Sequence, residues 1–371
     1  MKIETINFFS PVNSLGYGIA GKNLAIELDK RINVCLIPDN MNMTGIESEE
    51  MEILKKLSGR FKTIQFNRPG ICLGYGNMMF KFCGTKRIGY TIFENTLLYD
   101  DWTNQLKQLD MVWTFSEWGK KIIENSGIKC HIVPGGVNTE IFKKNPEFKR
   151  NTGDYFYFVS VGKWEPRKNQ ELLIKAFCNE FKPSEKVKLF GFWNNPFIQE
   201  DIGKTVAKII TNGHQLNNFD GKNIGDTVIL CPQLPSQKMF VQLYNQMDCA
   251  VFPYRAEGWC LPLMEAMACG LPCIATNYSA PLDYINHENS ILLQPGKFID
   301  IHKTDPKNYH QNAGSWADPD IDELKQLMRR AYQNRENLIS IGNKAFETMQ
   351  KWKWEKAAGY AFDLLKKLEI G

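Results

Sequence analysis

The chain has 371 residues, 43% of them hydrophobic and 23% charged, and carries a net charge of only +4. This is the make-up of an ordinary globular protein with room for two cores, and so small a charge gives no ground for a nucleic-acid partner while leaving room for a local basic face. No apolar run approaches the roughly 18 residues that span a bilayer, and the first fourteen residues lack the basic-then-apolar pattern of a signal peptide.

In chain order, Ile3 to Phe9 is predicted to be a strand, Ile19 to Leu28 a helix and Asn33 to Pro38 a second strand closed by Asp39. Between the first two lies a G-x-G-x-x-G run, Gly16 to Gly21. A nicotinamide site would use these glycines with Asp39 on the ribose, but Ser10 to Leu15 lengthens a turn that such a site needs tight. The same glycines could form a flexible loop whose N–H groups touch a phosphate, or a plain turn before the helix. A helix over Glu47 to Leu57 follows. Short strands are predicted over Thr63 to Phe66, Ile71 to Gly74, Arg87 to Phe93 and Met111 to Phe115. A helix enters at Ser116 and a strand covers Cys130 to Val133. This alternation predicts an α/β layer with a mainly parallel sheet. Tyr90, Glu94 and Asn95 stand just past a strand end, where open sheets bind ligands, although core or turn roles suit them equally. Lys143 to Asp154, polar and charged, reads as a linker.

A second alternating series begins with the apolar strand Tyr155 to Val161. The loop after it, Gly162-Lys163-Trp164-Glu165-Pro166-Arg167-Lys168-Asn169, puts three cations before a helix that runs through Phe177, and such a loop suits a diphosphate. Strands at Val187 to Phe190 and Val228 to Leu230 flank a polar stretch, Gly203 to Gly225, read as an insertion loop partly in helix. A helix covers Met239 to Met247. After the strand Ile291 to Leu293 a long polar loop is expected to reach Ala317. Asp318-Pro319-Asp320-Ile321-Asp322 resembles a metal-binding D-x-D but is better read as a helix N-cap, with Pro at the first helical position and acids in the first turn. Helices follow over Ile321 to Gln333, Asn337 to Gln350 and Trp354 to Leu368. The ten cysteines and five histidines form no C-x-x-C pair or ligand cluster, so the cysteines are expected as reduced core residues of a cytoplasmic protein and no metal is expected.

The richest stretch runs from Met247 to Ile285. Asp248 to Phe252 reads as a buried strand, Tyr254 to Leu261 as a loop, Pro262 to Cys269 as a helix stopped by Gly270, and Leu271 to Ala275 as the next strand: a βαβ unit. Glu257 lies in the loop, and Glu265 follows eight positions later, expected within about the first turn of the helix. N–H groups from about Gly258 to Leu263 would form an anion site there, beside a carboxylate able to accept hydrogen bonds from sugar hydroxyls. Taken alone, the pair also admits a plainer reading, with Glu265 complementing the helix dipole and Glu257 a solvated loop acid.

That stretch resembles the E-x7-E signature of retaining GT-B glycosyltransferases of the family 4, or group 1, type. The resemblance implies two Rossmann-like domains facing across a cleft, and transfer of a hexose from a UDP- or GDP-type sugar to an acceptor hydroxyl, as in glycan or glycoconjugate synthesis. Carried over, Glu257 faces the transferred sugar and Glu265 binds the ribose. Gly258, Trp259, Cys260 and Leu261 lend backbone N–H groups, Cys260 standing where the family often has Gly. Gly162-Lys163 and Lys168 resemble the family's G-R…K loop, with Lys163 in the Arg position. Gly16 and Gly18 resemble the glycine loop that closes over the diphosphate, Leu234 and Pro235 lie where the base is contacted, and Glu94 falls on the acceptor side. Pro134 to Asn138 resembles the P-N-G-V-D segment at the domain join, with Gly135 and Asn138 replacing the Asn and Asp. The implied domains are 1–145, 146–350, and a C-terminal helix, 351–371, crossing back to the first. No cofactor or metal is expected, and peripheral contact with the inner membrane face stays open. The alternatives are a GT-B sugar-nucleotide epimerase or hydrolase, a nicotinamide oxidoreductase using Gly16 to Gly21 and Asp39, and a non-enzymatic carbohydrate- or nucleotide-binding protein, which would have no need of the diphosphate cations.

Overall fold

The computed structural model describes residues 4–81, 84–147, 154–213 and 227–368. Packing divides the chain into two units. One holds the residues up to Asn138, Pro235–Gln237 and those from Lys351 on; the other holds Thr139–Leu234 and Lys238–Gln350.

The first unit carries β1 (Thr5–Val12), α1 (Gly16–Asp29), β2 (Asn33–Met41), α2 (Ser48–Gly59), β3 (Gly70–Leu73), β4 (Arg87–Tyr90), α3 (Asp100–Leu106), β5 (Met111–Thr114), α4 (Glu117–Asn125) and β6 (Cys130–Ile132). Its six strands pair in parallel in the order β2-β1-β3-β4-β5-β6. Strands covered on both faces need apolar residues on both, and β3 is accordingly buried at every position. Ser116 starts α4, its Oγ accepting the Gly119 N–H at 3.0 Å.

Two expectations for this unit are corrected. Helix α1 starts at Gly16 rather than Ile19: the Ile19 N–H already bonds the Leu15 carbonyl, and Asn13 Oδ1 accepts the Leu15 N–H at 2.9 Å just upstream. The glycines are therefore helical, and a Cβ at Gly18 or Gly21 would run into Asn13 or Ser10. Thr63 to Phe66 is not a strand; a 3-10 turn, Arg60–Thr63, takes the chain out of α2.

The second unit carries β7 (Phe156–Lys163), α5 (Gln170–Glu180), β8 (Val187–Asn194), α6 (Ile202–Gly213), β9 (Val228–Leu230), α7 (Gln237–Gln246), β10 (Cys249–Phe252), α8 (Leu261–Ala268), β11 (Cys273–Thr276), β12 (Ile291–Leu293), β13 (Lys297–Asp300), α9 (Ile301–Thr304), β14 (Ser315–Asp318), α10 (Ile321–Gln333) and α11 (Arg335–Met349). The main sheet is parallel, in the order β12-β11-β10-β7-β8-β9. This is the doubly wound order in which the direction of travel reverses between β7 and β10, opening a crevice at their C-terminal ends. Its core is made of Phe156, Phe158, Leu189, Val251, Ile274 and the inner faces of α5 and α10. The expected polar loop up to Ala317 instead contains β13 and β14, an antiparallel pair anchored by the fully buried Trp316. The part of the expected insertion loop from 214 to 226 lies outside the described residues.

Helix α12 (Trp354–Lys367) belongs to the first unit and packs on α1. The chain enters it where the Val137 N–H bonds the Trp352 carbonyl at 2.8 Å. A Cβ on Gly136 would lie 2.5 Å from the Trp354 nitrogen, so this crossing of two backbones requires glycine. The units part at Asn138 rather than at 145 because the expected linker is tied into the second unit: Asn245 Oδ1 accepts the Asn145 N–H at 3.0 Å, and Asn245 Nδ2 donates to the Lys143 carbonyl at 3.2 Å.

Candidate active site

The site is assembled at the C-terminal ends of β7 and β10. The next-to-last residue of β7 is Gly162, whose φ of +156° favours glycine, and a short turn, Pro166–Lys168, leads through left-handed Asn169 into α5. Gln170 Nε2 donates to the Lys163 carbonyl at 2.7 Å and fixes the loop from behind.

Opposite, β10 is buried at all positions and delivers Tyr254, whose hydroxyl donates to the Thr276 carbonyl at 2.7 Å. Glu257 is held by its backbone: its N–H bonds Ser279 Oγ at 2.9 Å, and its carbonyl accepts the Ala280 N–H at 3.2 Å. The two loops are also joined directly. The Arg255 N–H bonds the Arg167 carbonyl at 2.8 Å, and the Arg255 guanidinium reaches the Pro166 carbonyl and, at 3.1 Å, Asp318.

The charged groups form one network. Glu257, only 3% exposed, receives Lys168 Nζ on Oε1 at 2.5 Å and Arg167 Nη1 on Oε2 at 3.1 Å. Arg167 also pairs with Glu165, which in turn holds Lys163 at 2.8 Å. Lys163 Nζ lies 5.5 Å over the ring of the exposed Phe197. Burial pushes the Glu165 carboxyl up, but Arg167, Lys163 and Lys168 outweigh it and hold the group below its ordinary range. Burial likewise pushes the Lys168 ammonium down, yet Glu257, with smaller help from Cys260 and Glu165, outweighs it and the net shift is upward. Ser160, Gln170, Tyr254, Lys168 and Glu257 line a small cavity over the crevice.

The chain beyond Glu257 leads into α8 through Cys260, whose φ of +63° is left-handed. A side chain there is held by packing, and the Tyr284 hydroxyl pins the loop by donating to the Trp259 carbonyl at 2.6 Å. Among the described residues, the N–H groups of Gly258, Cys260 and Leu261 donate to no protein acceptor. Three such donors at the buried start of a helix form a site for an anion. The Leu263 N–H is not among them, since it bonds the Cys260 carbonyl.

The structure thus brings Lys163, Lys168 and Glu257 into one cluster, with Gly258, Trp259, Cys260 and Leu261 beside it. Glu265 is the fifth residue of α8 rather than part of its first turn, and is 9% exposed. Leu234 is half-buried in the second unit after β9, whereas Gly16, Gly18 and Glu94 belong to the first unit. Tyr90 is a core residue donating to the Val133 carbonyl, and Asn95 holds its own turn through the Leu97 carbonyl. Asp39 pairs with Lys81 at 2.9 Å. Sequence reasoning counted Arg167 among the cations but missed its bonds to Glu257, along with Glu165 and Ser279; an acid set between cations in so short a loop was the available signal. Asp320 caps α10, accepting the Asp322 and Glu323 N–H groups at 2.9 and 3.0 Å, so Pro319 precedes the cap rather than taking the expected first helical position. Among the described residues no group of three or more His, Cys, Asp or Glu could hold a metal ion, and no helix is long and apolar enough to cross a membrane.

Two parallel six-stranded sheets of this kind define the GT-B glycosyltransferase fold. The chain superposes on sucrose-phosphate synthase from Thermosynechococcus elongatus with a TM-score of 0.72 at 16% identity, covering 99% of both chains. It superposes on Anabaena Alr3699/HepE, solved with UDP-glucose, with a TM-score of 0.69 at 14% identity, covering 98% of this chain and 99% of that one. Residues 141–304 match the family model described as glycosyl transferases group 1, and that segment contains the whole ion network. A D-inositol 3-phosphate glycosyltransferase of Acidothermus cellulolyticus is 24% identical over 199 residues, 52% of this chain and 41% of that protein. A probable sucrose-phosphate synthase of Thermosipho melanesiensis is 22% identical over 246 residues, 65% of this chain and 48% of that protein. The chain therefore matches about half the length of these relatives.

Proposed function

We propose that the protein is a retaining glycosyltransferase that moves a hexose from a UDP- or GDP-type sugar to an acceptor hydroxyl. The observation that carries this reading is the Lys168–Glu257 pair at the β7–β10 reversal, beside the backbone donors of Gly258, Cys260 and Leu261. In this reading those donors, with Trp259, Lys163 and Lys168, hold the diphosphate. Glu257 takes sugar hydroxyls, Glu265 the ribose, and Leu234 lies against the base. The first unit carries the acceptor.

The bond from the anomeric carbon to the diphosphate oxygen breaks as the acceptor oxygen bonds the same carbon from the same face. The acceptor's proton passes to the departing phosphate oxygen. Negative charge develops on that leaving group, and fixed cations and N–H dipoles in a buried crevice stabilise it more than water would. Lysine and arginine meet this demand, so the reading requires no metal. The solved relative with UDP-glucose and the sugar-transferring names of the curated relatives support the donor class.

The test is to incubate the protein with UDP- and GDP-sugars, with and without a mixed panel of hydroxyl acceptors and with EDTA, and to read the product's anomeric proton coupling. An α-linked product from an α-linked donor, formed in EDTA, is expected. Inversion, or release of an epimer without transfer, would contradict the reading.

A further inference from the structure

Glu257 meets two cations that are held in different ways. Arg167 is locked: Nη1 donates to the Ala256 carbonyl at 2.8 Å as well as pairing with Glu257, its other arm pairs with Glu165, and its carbonyl accepts the Arg255 N–H. It is 9% exposed. Lys168 has, among the described residues, Glu257 Oε1 as its one acceptor, although an ammonium carries three donors, and it faces the cavity.

Building on the donor site proposed above, we propose that Arg167 is the standing counter-ion of Glu257 and a positioning residue for transfer, while Lys168 is the exchangeable one that leaves Glu257 for the donor diphosphate. A nucleoside diphosphate brings more negative charge and more acceptor oxygens than one carboxylate, so it outcompetes Oε1 for the ammonium. The move frees Oε1 for a sugar hydroxyl, while Oε2 stays on Arg167. Without Arg167 the buried carboxylate would lose its last cation just as a second anion arrived, and an uncompensated charge there is costly. The remaining titratable groups facing Glu257 are Cys260, Tyr254 and Tyr284, a thiol and phenols that burial keeps protonated, so they supply no replacement cation. Glu165, shared between Arg167 and Lys163, holds the guanidinium in place.

The experiment compares steady-state kinetics on the sugar nucleotide that wild type consumes with calorimetric binding of the matching nucleoside diphosphate, UDP or GDP. Arg167→Gln is expected to lower kcat by about 30-fold or more while diphosphate affinity stays within about threefold, and Arg167→Lys should recover about tenfold of the loss. Lys168→Gln should instead weaken diphosphate binding by about tenfold or more. Binding by Arg167→Gln also reports that it folds. If it does not fold, Glu165→Gln carries the test, with kcat expected to fall by about fivefold at unchanged affinity. The inference is overturned if Arg167→Gln weakens diphosphate binding as much as Lys168→Gln, if its kcat stays near wild type, if lysine restores nothing, or if the substituting Glu165 variant keeps full kcat. Wild type that binds neither diphosphate overturns the donor-site reading and this inference with it; the variant outcomes overturn the inference alone.

Discussion

Lys168 Nζ and Glu257 Oε1, 89 residues apart in sequence, meet at 2.5 Å across the ends of β7 and β10. Parallel strands place this pair: β7 and β10 are neighbours in the sheet, and the chain leaves both at the same edge. Lys168→Ala and Glu265→Ala are each expected to lower kcat/KM for transfer by about a hundredfold or more. Circular dichroism and thermal melts of both variants should show a folded protein, since neither side chain belongs to the apolar core.

Stability should depend on pH through the same cluster. Glu165 has a folded pKa below its ordinary value of 4.5, so its contribution is present above that value and is lost as pH falls through the lower folded one. Lys168 has a folded pKa above its ordinary 10.5, so its contribution is present below that value and is lost as pH rises through the higher folded one. Melting temperature is expected to fall on the acid side below about pH 4.5, less steeply in Glu165→Gln, and again above about pH 10.5. Scanning calorimetry from pH 3 to 11 checks both limbs.

Gly136 lies where its Cβ would collide with the backbone of Trp354. Gly136→Ala should therefore destabilise the protein by about 1–3 kcal/mol, because backbone cannot yield as a side-chain tip would. Gly59→Ala, where an added Cβ would meet nothing within 4 Å, serves as the control, and urea denaturation measures the difference.

Asp320 is assigned to capping and not to metal. Asp320→Ala should cost about 1 kcal/mol of stability and leave turnover unchanged with or without EDTA. Combined urea melts and initial rates test this; a loss of activity restored by excess Mg2+ or Mn2+ would return the residue to a metal role.

The sequence made some of this legible and not the rest, for physical reasons. Gly162-Lys163, Lys168 and Glu257 could be located because each sits in a short loop just after an apolar strand, and a parallel sheet gathers such loops at one edge. The folding back of Glu165 between Lys163 and Arg167 depends on side-chain directions that no spacing encodes. The boundary near 138 escaped because Asn245, a hundred residues downstream, supplies the polar contacts that tie Lys143 and Asn145 into the second unit. Strand β13 was missed because Lys297–Asp300 is largely exposed and half charged, so neither alternation nor an apolar run marks it. The early start of α1 overrides the low helix propensity of glycine, since Gly18 and Gly21 are the residues small enough to pass Asn13 and Ser10.

The central claim is that the β7–β10 cluster holds an activated sugar. It is tested most directly by following the consumption of a panel of UDP- and GDP-sugars by wild type and Lys168→Ala, with NADH stabilisation measured in parallel. The account predicts that wild type consumes at least one sugar nucleotide, that Lys168→Ala does so about a hundredfold more slowly, and that NADH has no effect on melting. Equal rates for the two proteins, or stabilisation by NADH with no sugar nucleotide consumed, would contradict it.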